Sequence, residues 1–79
     1  MGDPSVVGSV GVLTVATRGS AGAGEVLVKI RGGSETYLAW SEEPLAKGST
    51  VLIVESRGSR TVGVVAWFGP PTVDTQVSY

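Results

Sequence analysis

The purest apolar run of the chain is Val-Leu-Ile-Val at residues 51–54, and three of its four residues are β-branched. Such a run favours a buried strand, which we predict over residues 50–56. A polar approach leads into it, because Pro44 fixes its own φ and Gly48 can adopt the positive φ of a sharp turn. The rest of the chain has to be arranged around this strand.

The composition favours an all-β fold. The 79 residues form one domain, and they include 14 valines and 12 glycines, which is typical of short strands joined by tight turns. A domain of this size buries only roughly 60% of its unfolded surface, so its core is modest. We expect a disordered leader at residues 1–5, a folded barrel at residues 6–68 and a C-terminal tail without periodicity at residues 69–79.

The first predicted strand is long, spans residues 6–17, and changes the phase of its apolar alternation between Val12 and Leu13. Gly8 and Gly11 lie where such a change needs a bulge or a bend. A bent first strand can belong to two sheets at once, which is how small barrels close.

Two hairpins follow. The first joins residues 24–30 to residues 34–40 through a two-residue turn at Gly32-Gly33, and this register sets Leu27 opposite Leu38 and Val28 opposite Tyr37. A connector at residues 41–49, with a 3₁₀ turn near residues 43–47, leads to the central strand.

The second hairpin joins residues 50–56 to residues 61–67 through a type II′ turn whose centre is Gly58-Ser59. It sets Val51 opposite Ala66 and Ile53 opposite Val64, both facing inward. The predicted core consists of Val26, Val28, Tyr37, Ala39, Val51, Ile53, Val64 and Ala66.

Five strands with a bent first strand and a short connector after the third predict an OB-fold, a small and partly open Greek-key barrel. An SH3-like barrel is the nearest alternative. A lipoyl-type sandwich would need a lysine at a hairpin tip, and the predicted tips contain none.

Catalytic chemistry has few candidates. The chain has no His and no Cys, and its two aspartates, Asp3 and Asp74, lie near the ends. Glu42 and Glu43 are adjacent in a polar loop, so we interpret them as solvated surface rather than as an acid–base pair. We expect a protein that is not an enzyme and that has no metal or cofactor site. No window approaches ~18 consecutive apolar residues, so the chain as it stands is expected to be soluble.

Outward-facing apolar residues indicate a surface for a protein partner. The main patch, expected to be at least half exposed unless the tail covers it, consists of Leu52, Val54, Val65 and Trp67. A second patch consists of Leu27, Leu38 and Trp40.

The alternative is a surface for single-stranded nucleic acid on the first hairpin and adjoining loops, formed by Arg18, Lys29, Arg31, Trp40, Arg57 and Arg60. It has one stacking ring, and the net charge of the chain is −1, so we expect no strong nucleic-acid binding.

A scattered pattern of residues carries a family resemblance. In order, the chain has Gly8-x-x-Gly11-x-x-Thr14, Gly24-x-Val26, Gly33, Tyr37-x-Ala39-x-Ser41-Glu42, Leu45-x-Lys47-Gly48-x-x-Val51-x-Ile53-Val54, Gly58 and Val62-x-Val64. This pattern resembles the C-terminal soluble domain of the NfeD family. The loop at residues 18–23 departs from it, since it replaces an expected Leu-Arg-Pro-Ser-Gly stretch.

The resemblance implies a five-stranded OB-fold of bacterial type that is usually carried behind transmembrane helices. It also implies a partnership with membrane proteins of the stomatin/prohibitin type and a loose association with the regulation of membrane proteases. We therefore expect a cytoplasmic adaptor domain that reaches the membrane through a parent protein or a partner. Self-association stays open.

Overall fold

The computed structural model describes residues 6–30 and 32–68. The predicted leader, the predicted tail and Arg31 lie outside these residues. Within them the chain forms five strands, as predicted, and these pair in the cyclic order β1-β2-β3-β5-β4. The strands are β1 (Val10–Val15), β2 (Gly24–Ile30), β3 (Gly33–Trp40), β4 (Thr50–Gly58) and β5 (Thr61–Ala66).

The first strand has the double role expected of a bent strand, because β1 pairs antiparallel with both β2 and β4. The bulge lies between Leu13 and Val15, later than predicted from Gly8 and Gly11, and it leaves Val15 exposed instead of on the buried face of Leu13. The strand is shorter than predicted and begins at Val10. Before it the chain turns at Gly8, which has a φ of 93° and whose amide donates to the Ile53 carbonyl at 2.8 Å.

A short parallel ladder between β3 and β5 completes the ring, from Leu38 opposite Thr61 to Trp40 opposite Gly63. The barrel is therefore closed, where the sequence predicted a partly open one. Only three residue pairs form this ladder, so β3 and β5 separate soon after Trp40.

The register predicted for the first hairpin is wrong by two residues. Ile30 pairs with Gly33, so Leu27 lies opposite Thr36 rather than Leu38, and Val28 lies opposite Glu35. The positive φ of 84° falls on Gly32, which leaves Gly33 free to begin β3. A slip of two residues keeps every side chain on its predicted face.

The second hairpin has the predicted register, with Val51 opposite Ala66 and Ile53 opposite Val64. Its turn lies further along than predicted. Gly58 pairs with Thr61, and positive φ values at Ser59 (53°) and Arg60 (56°) identify a type I′ turn instead of a type II′ turn. Two irregularities in the ladder absorb the extra residues of β4.

The core fills the barrel and contains seven of the eight predicted residues. Ala66 is the exception, since it is only half-buried at the end of β5. Among the described residues, three further apolar side chains are buried that the pattern did not assign to the core: Val6, Leu13 and Val62. Leu45 packs against this cluster from the connector.

The connector between β3 and β4 contains no 3₁₀ turn; the chain bends at residues 42–43 and turns at residues 47–48. Thr17, which is buried, holds it in place: its Oγ1 accepts the Leu45 amide at 2.8 Å and lies 2.6 Å from Ser41 Oγ. Ser41 Oγ in turn donates to the Glu43 carbonyl at 2.7 Å. Side-chain hydroxyls thus provide the hydrogen bonds that a helical turn would otherwise supply.

Replacing Thr17 with valine is expected to lower the free energy of unfolding by about 1–3 kcal/mol, because the nearly isosteric change leaves the Leu45 amide without its acceptor. Urea unfolding followed by tryptophan fluorescence measures the change. Thr14→Val is the matched control, since Thr14 is exposed and its hydroxyl makes one long contact of 3.4 Å. Equal effects of the two substitutions would mean that the hydrogen bond from the Leu45 amide to Thr17 does not hold the connector in place.

Candidate protein-binding surface

The outer face of the barrel carries apolar side chains on every strand of the ring. We call this set the outer belt. It consists of Val10 and Val12 on β1, Leu27 on β2, Leu38 and Trp40 on β3, Leu52 and Val54 on β4, Val65 on β5, and Trp67 directly after β5.

Cross-strand pairing makes much of the belt continuous. Leu52 lies opposite Val65 on one side and opposite Val10 on the other, and Val12 lies opposite Leu27. The two patches predicted from the sequence are thereby joined through β1. Sequence reasoning missed Val10 and Val12 as surface residues, although the alternation that buries Gly11 and Leu13 could have identified them.

The two patches also meet on the opposite side of the ring, in an open groove of about 510 Å³. Trp40, Val54 and Val65 line this groove, so Trp40 joins the second-hairpin patch across the parallel ladder. Gly63 also lines the groove, and the Glu55 side chain lies against it, since a Cβ at Gly63 would be 2.8 Å from Glu55 Cγ.

An ion pair closes one side of the groove. Arg57 Nε donates to Glu55 Oε2 at 2.6 Å, and both side chains are about half exposed. The groove therefore combines an apolar wall containing a tryptophan with a polar rim. Such a surface suits an apolar or aromatic side chain from a partner.

The exposure of the main patch is lower than predicted. Val54 is 47% exposed, Val65 is 45% exposed and Trp67 is 36% exposed, while Leu52 is half-buried between its neighbours on β1 and β5. Whether the tail contributes cover is a question outside the described residues.

The basic residues proposed for the nucleic-acid alternative do not form one strip. Arg60 pairs with Glu35 and lies 5.6 Å from the centre of the Tyr37 ring, and Arg57 is held by Glu55. The Arg18 guanidinium lies against Gly22 of its own loop. Lys29 is exposed near the other end of β2, and Arg31 lies outside the described residues.

The described residues contain neither a metal-binding cluster nor a membrane-spanning helix. No three side chains of His, Cys, Asp or Glu come together as a metal-binding group in residues 6–30 and 32–68. In the same part of the chain, no helix has the length and apolarity needed to cross a membrane.

Comparison with known proteins gives consistent results. The family model of the NfeD C-terminal domain matches residues 10–65. The solution structure of the soluble domain of the NfeD protein YuaF from Bacillus subtilis superposes with a TM-score of 0.67 at 26% sequence identity, covering 80% of this chain and 75% of that one. A search of curated proteins finds no match. These matches confirm the resemblance and the OB-type barrel, and the chain belongs to the NfeD family as an example of its C-terminal domain.

Proposed function

We propose that this domain is a non-catalytic adaptor that binds a membrane-associated protein of the stomatin/prohibitin type through its outer belt. The observation that carries the proposal is the continuity of the belt from β2 through β1 and β4 to β5, which Trp40 of β3 joins across the groove. In the proposed role the domain works at the cytoplasmic face of a membrane, where such a complex would regulate membrane proteases.

The energetics of the belt support a protein partner. Burying apolar surface against a partner stabilises a complex by roughly 25 cal/mol for each Å² removed from water. Contiguous apolar surface is also more typical of interaction sites than of inert monomer surface. Tryptophans are frequent anchors of such interfaces, and Trp40 and Trp67 both belong to the belt.

The charge distribution supports a protein in preference to a nucleic acid. Arg57 and Arg60 are each engaged by a glutamate, so each would bring a carboxylate towards a phosphate backbone. Affinity for nucleic acids depends on cations that release counterions from phosphates, and paired arginines contribute little to that release.

The double variant Leu52→Glu with Val65→Lys is expected to abolish partner binding while the barrel stays folded. The two residues face each other across β4 and β5 on the outside, so the new charges can pair with each other but prevent apolar contact. Binding is measured with an immobilised stomatin-type or prohibitin-type protein in detergent, and folding is measured by thermal unfolding.

The matched control places the same new charges at exposed positions outside the belt, as Ser34→Glu with Ala46→Lys. This control is expected to bind like the unmodified domain. Undiminished partner binding by the belt variant would overturn the proposal. Unfolding of the belt variant, but not of the control, would also overturn it, because the belt would then be part of the structural core.

A further inference from the structure

The last residues of β5 have a backbone edge that no other strand of the described residues covers. Trp67 donates its amide to the Thr50 carbonyl at 3.0 Å, so the polar backbone groups of Val65 and Trp67 face β4. Those of the alternate residues, Val64 and Ala66, consequently face away from β4, towards β3.

On that side the parallel ladder between β3 and β5 ends before it reaches most of these backbone groups. The Leu38 amide donates to the Arg60 carbonyl at 2.8 Å, and the parallel pairing ends at Trp40 opposite Gly63. Within residues 6–30 and 32–68, no backbone group pairs with the Val64 carbonyl or with the Ala66 amide and carbonyl. Free edges of this kind are templates for an additional strand.

The connector runs beside this edge without pairing with it. Its Leu45 amide donates to Thr17 Oγ1 and its Glu43 carbonyl accepts from Ser41 Oγ, and in the described residues the backbone pairing with β5 ends at Trp40. A small cavity of about 90 Å³ remains between the two, lined on one side by Leu45 and on the other by residues 64–66. Its size suits a small aliphatic side chain.

The surroundings of the edge are acidic. Glu42 and Glu43 border the cavity, both are exposed, and neither is in either of the ion pairs found in the described part of the chain. An extended segment that carries lysine or arginine therefore complements this edge. The chain's own C-terminal segment does not, because residues 69–79 contain no basic residue, include Asp74 and begin with Gly-Pro-Pro.

We propose that the β5 edge at residues 64–66 binds an extended, basic segment of a partner protein as an added strand, with a small aliphatic side chain in the cavity beside Leu45. This proposal rests on the proposed function, since it names how part of a protein partner is held. Main-chain hydrogen bonds supply the affinity in this mode of recognition, and the side-chain cavity supplies the specificity.

Ala66→Pro tests the edge directly. Proline removes the Ala66 amide donor, which does not face β4, and proline is tolerated on edge strands when its missing amide would face outward. The probe is a fluorescein-labelled, acetylated peptide of alternating lysine and valine, and fluorescence anisotropy reports its binding to the whole chain. We expect Ala66→Pro to weaken binding about tenfold or more, while the matched control Ala66→Ser, which keeps the amide, stays within about twofold.

Two further measurements keep the proposal testable if the proline variant does not fold. In the unmodified domain, adding the peptide should slow hydrogen exchange of the Ala66 amide and leave the Val65 and Trp67 amides, which already face β4, unchanged. The charge-reversed variant Glu42→Lys with Glu43→Lys should weaken binding of the peptide, and a peptide of alternating glutamate and valine should not bind to the unmodified domain.

The results separate this proposal from the proposed function. Three results would overturn the proposal of an added strand, whatever the belt variant does. They are equal binding of the peptide to Ala66→Pro and Ala66→Ser, no binding of the peptide to the unmodified domain, and unchanged hydrogen exchange of the Ala66 amide. Loss of partner binding in Leu52→Glu with Val65→Lys would in that case still support the adaptor role. If the belt variant still binds the partner, the adaptor role is overturned. The peptide experiments alone would then test whether the β5 edge binds an added strand.

Discussion

Replacing Ile53 with alanine is expected to destabilise the barrel by about 2–5 kcal/mol, the range for removing a large aliphatic side chain from a core. Ile53 is fully buried, and it lies on β4, the strand that pairs with both β1 and β5. A small domain with one core has a total stability of only about 3–5 kcal/mol. The variant is therefore expected to lose at least about 40% of its stability, and the unfolded state becomes well populated at 37 °C.

Urea unfolding of Ile53→Ala, followed by the fluorescence of Trp40 and Trp67, gives the change in unfolding free energy. The matched control is Val54→Ala, because Val54 is the next residue of β4 and faces outward at 47% exposure. The control is expected to change stability by no more than about 0.5–1 kcal/mol. A smaller effect at Ile53 than at Val54 would reverse the assignment of the inner and outer faces of β4.

The register of the second hairpin was predictable from sequence because its two strands constrain each other. Alternate residues of a strand face opposite sides, and only one of the two possible assignments places Ile53 and Val64 opposite each other inside the barrel. The long apolar run also limits the residues at which β4 can begin. The details of the turn were less predictable. Ser59 and Arg60 both adopt positive φ although neither is glycine, so the adjacent Gly58 was a misleading signal for the turn centre.

The first hairpin shows the opposite case. Two consecutive glycines, Gly32 and Gly33, offer two equivalent places for a positive φ, and the sequence does not distinguish between them. Both registers bury the same residues because they differ by two positions. The pattern of burial therefore predicted the correct faces and left the pairing undetermined.

The candidate surface was only partly predictable for a related reason. Every belt residue of β2 to β5 could be identified by its alternation with the core. Val10 and Val12 follow the same alternation, but the inward residue between them is a glycine, Gly11, which makes the pattern hard to see in the sequence. The groove depends on Trp40 lying opposite Gly63 across the parallel ladder. No local pattern predicts that contact, which is made by residues far apart in the chain.

The glycines of the family pattern also have different physical roles that the sequence alone does not separate. Gly24 is buried at the bulge between β1 and β2, and a Cβ placed there would clash with the Val15 carbonyl oxygen and lie 2.7 Å from the Ala16 carbonyl group. These obstacles are backbone atoms, so they cannot move aside as the end of a flexible side chain can. Gly33, in the same pattern, has no other atom within 4 Å of the equivalent position.

Gly24→Ala is therefore expected to lower the free energy of unfolding by about 3 kcal/mol, at the upper end of the cost of overpacking. The added methyl group must push β1 and β2 apart at the point where β1 bends into both halves of the ring. The matched variant Gly33→Ala is expected to stay within about 0.5 kcal/mol, or to gain slightly because alanine restricts the unfolded chain. Thermal and urea unfolding of both variants measure the difference. Similar behaviour of the two would mean that the bulge accommodates a side chain, and that close backbone approach is not the reason for glycine at this position.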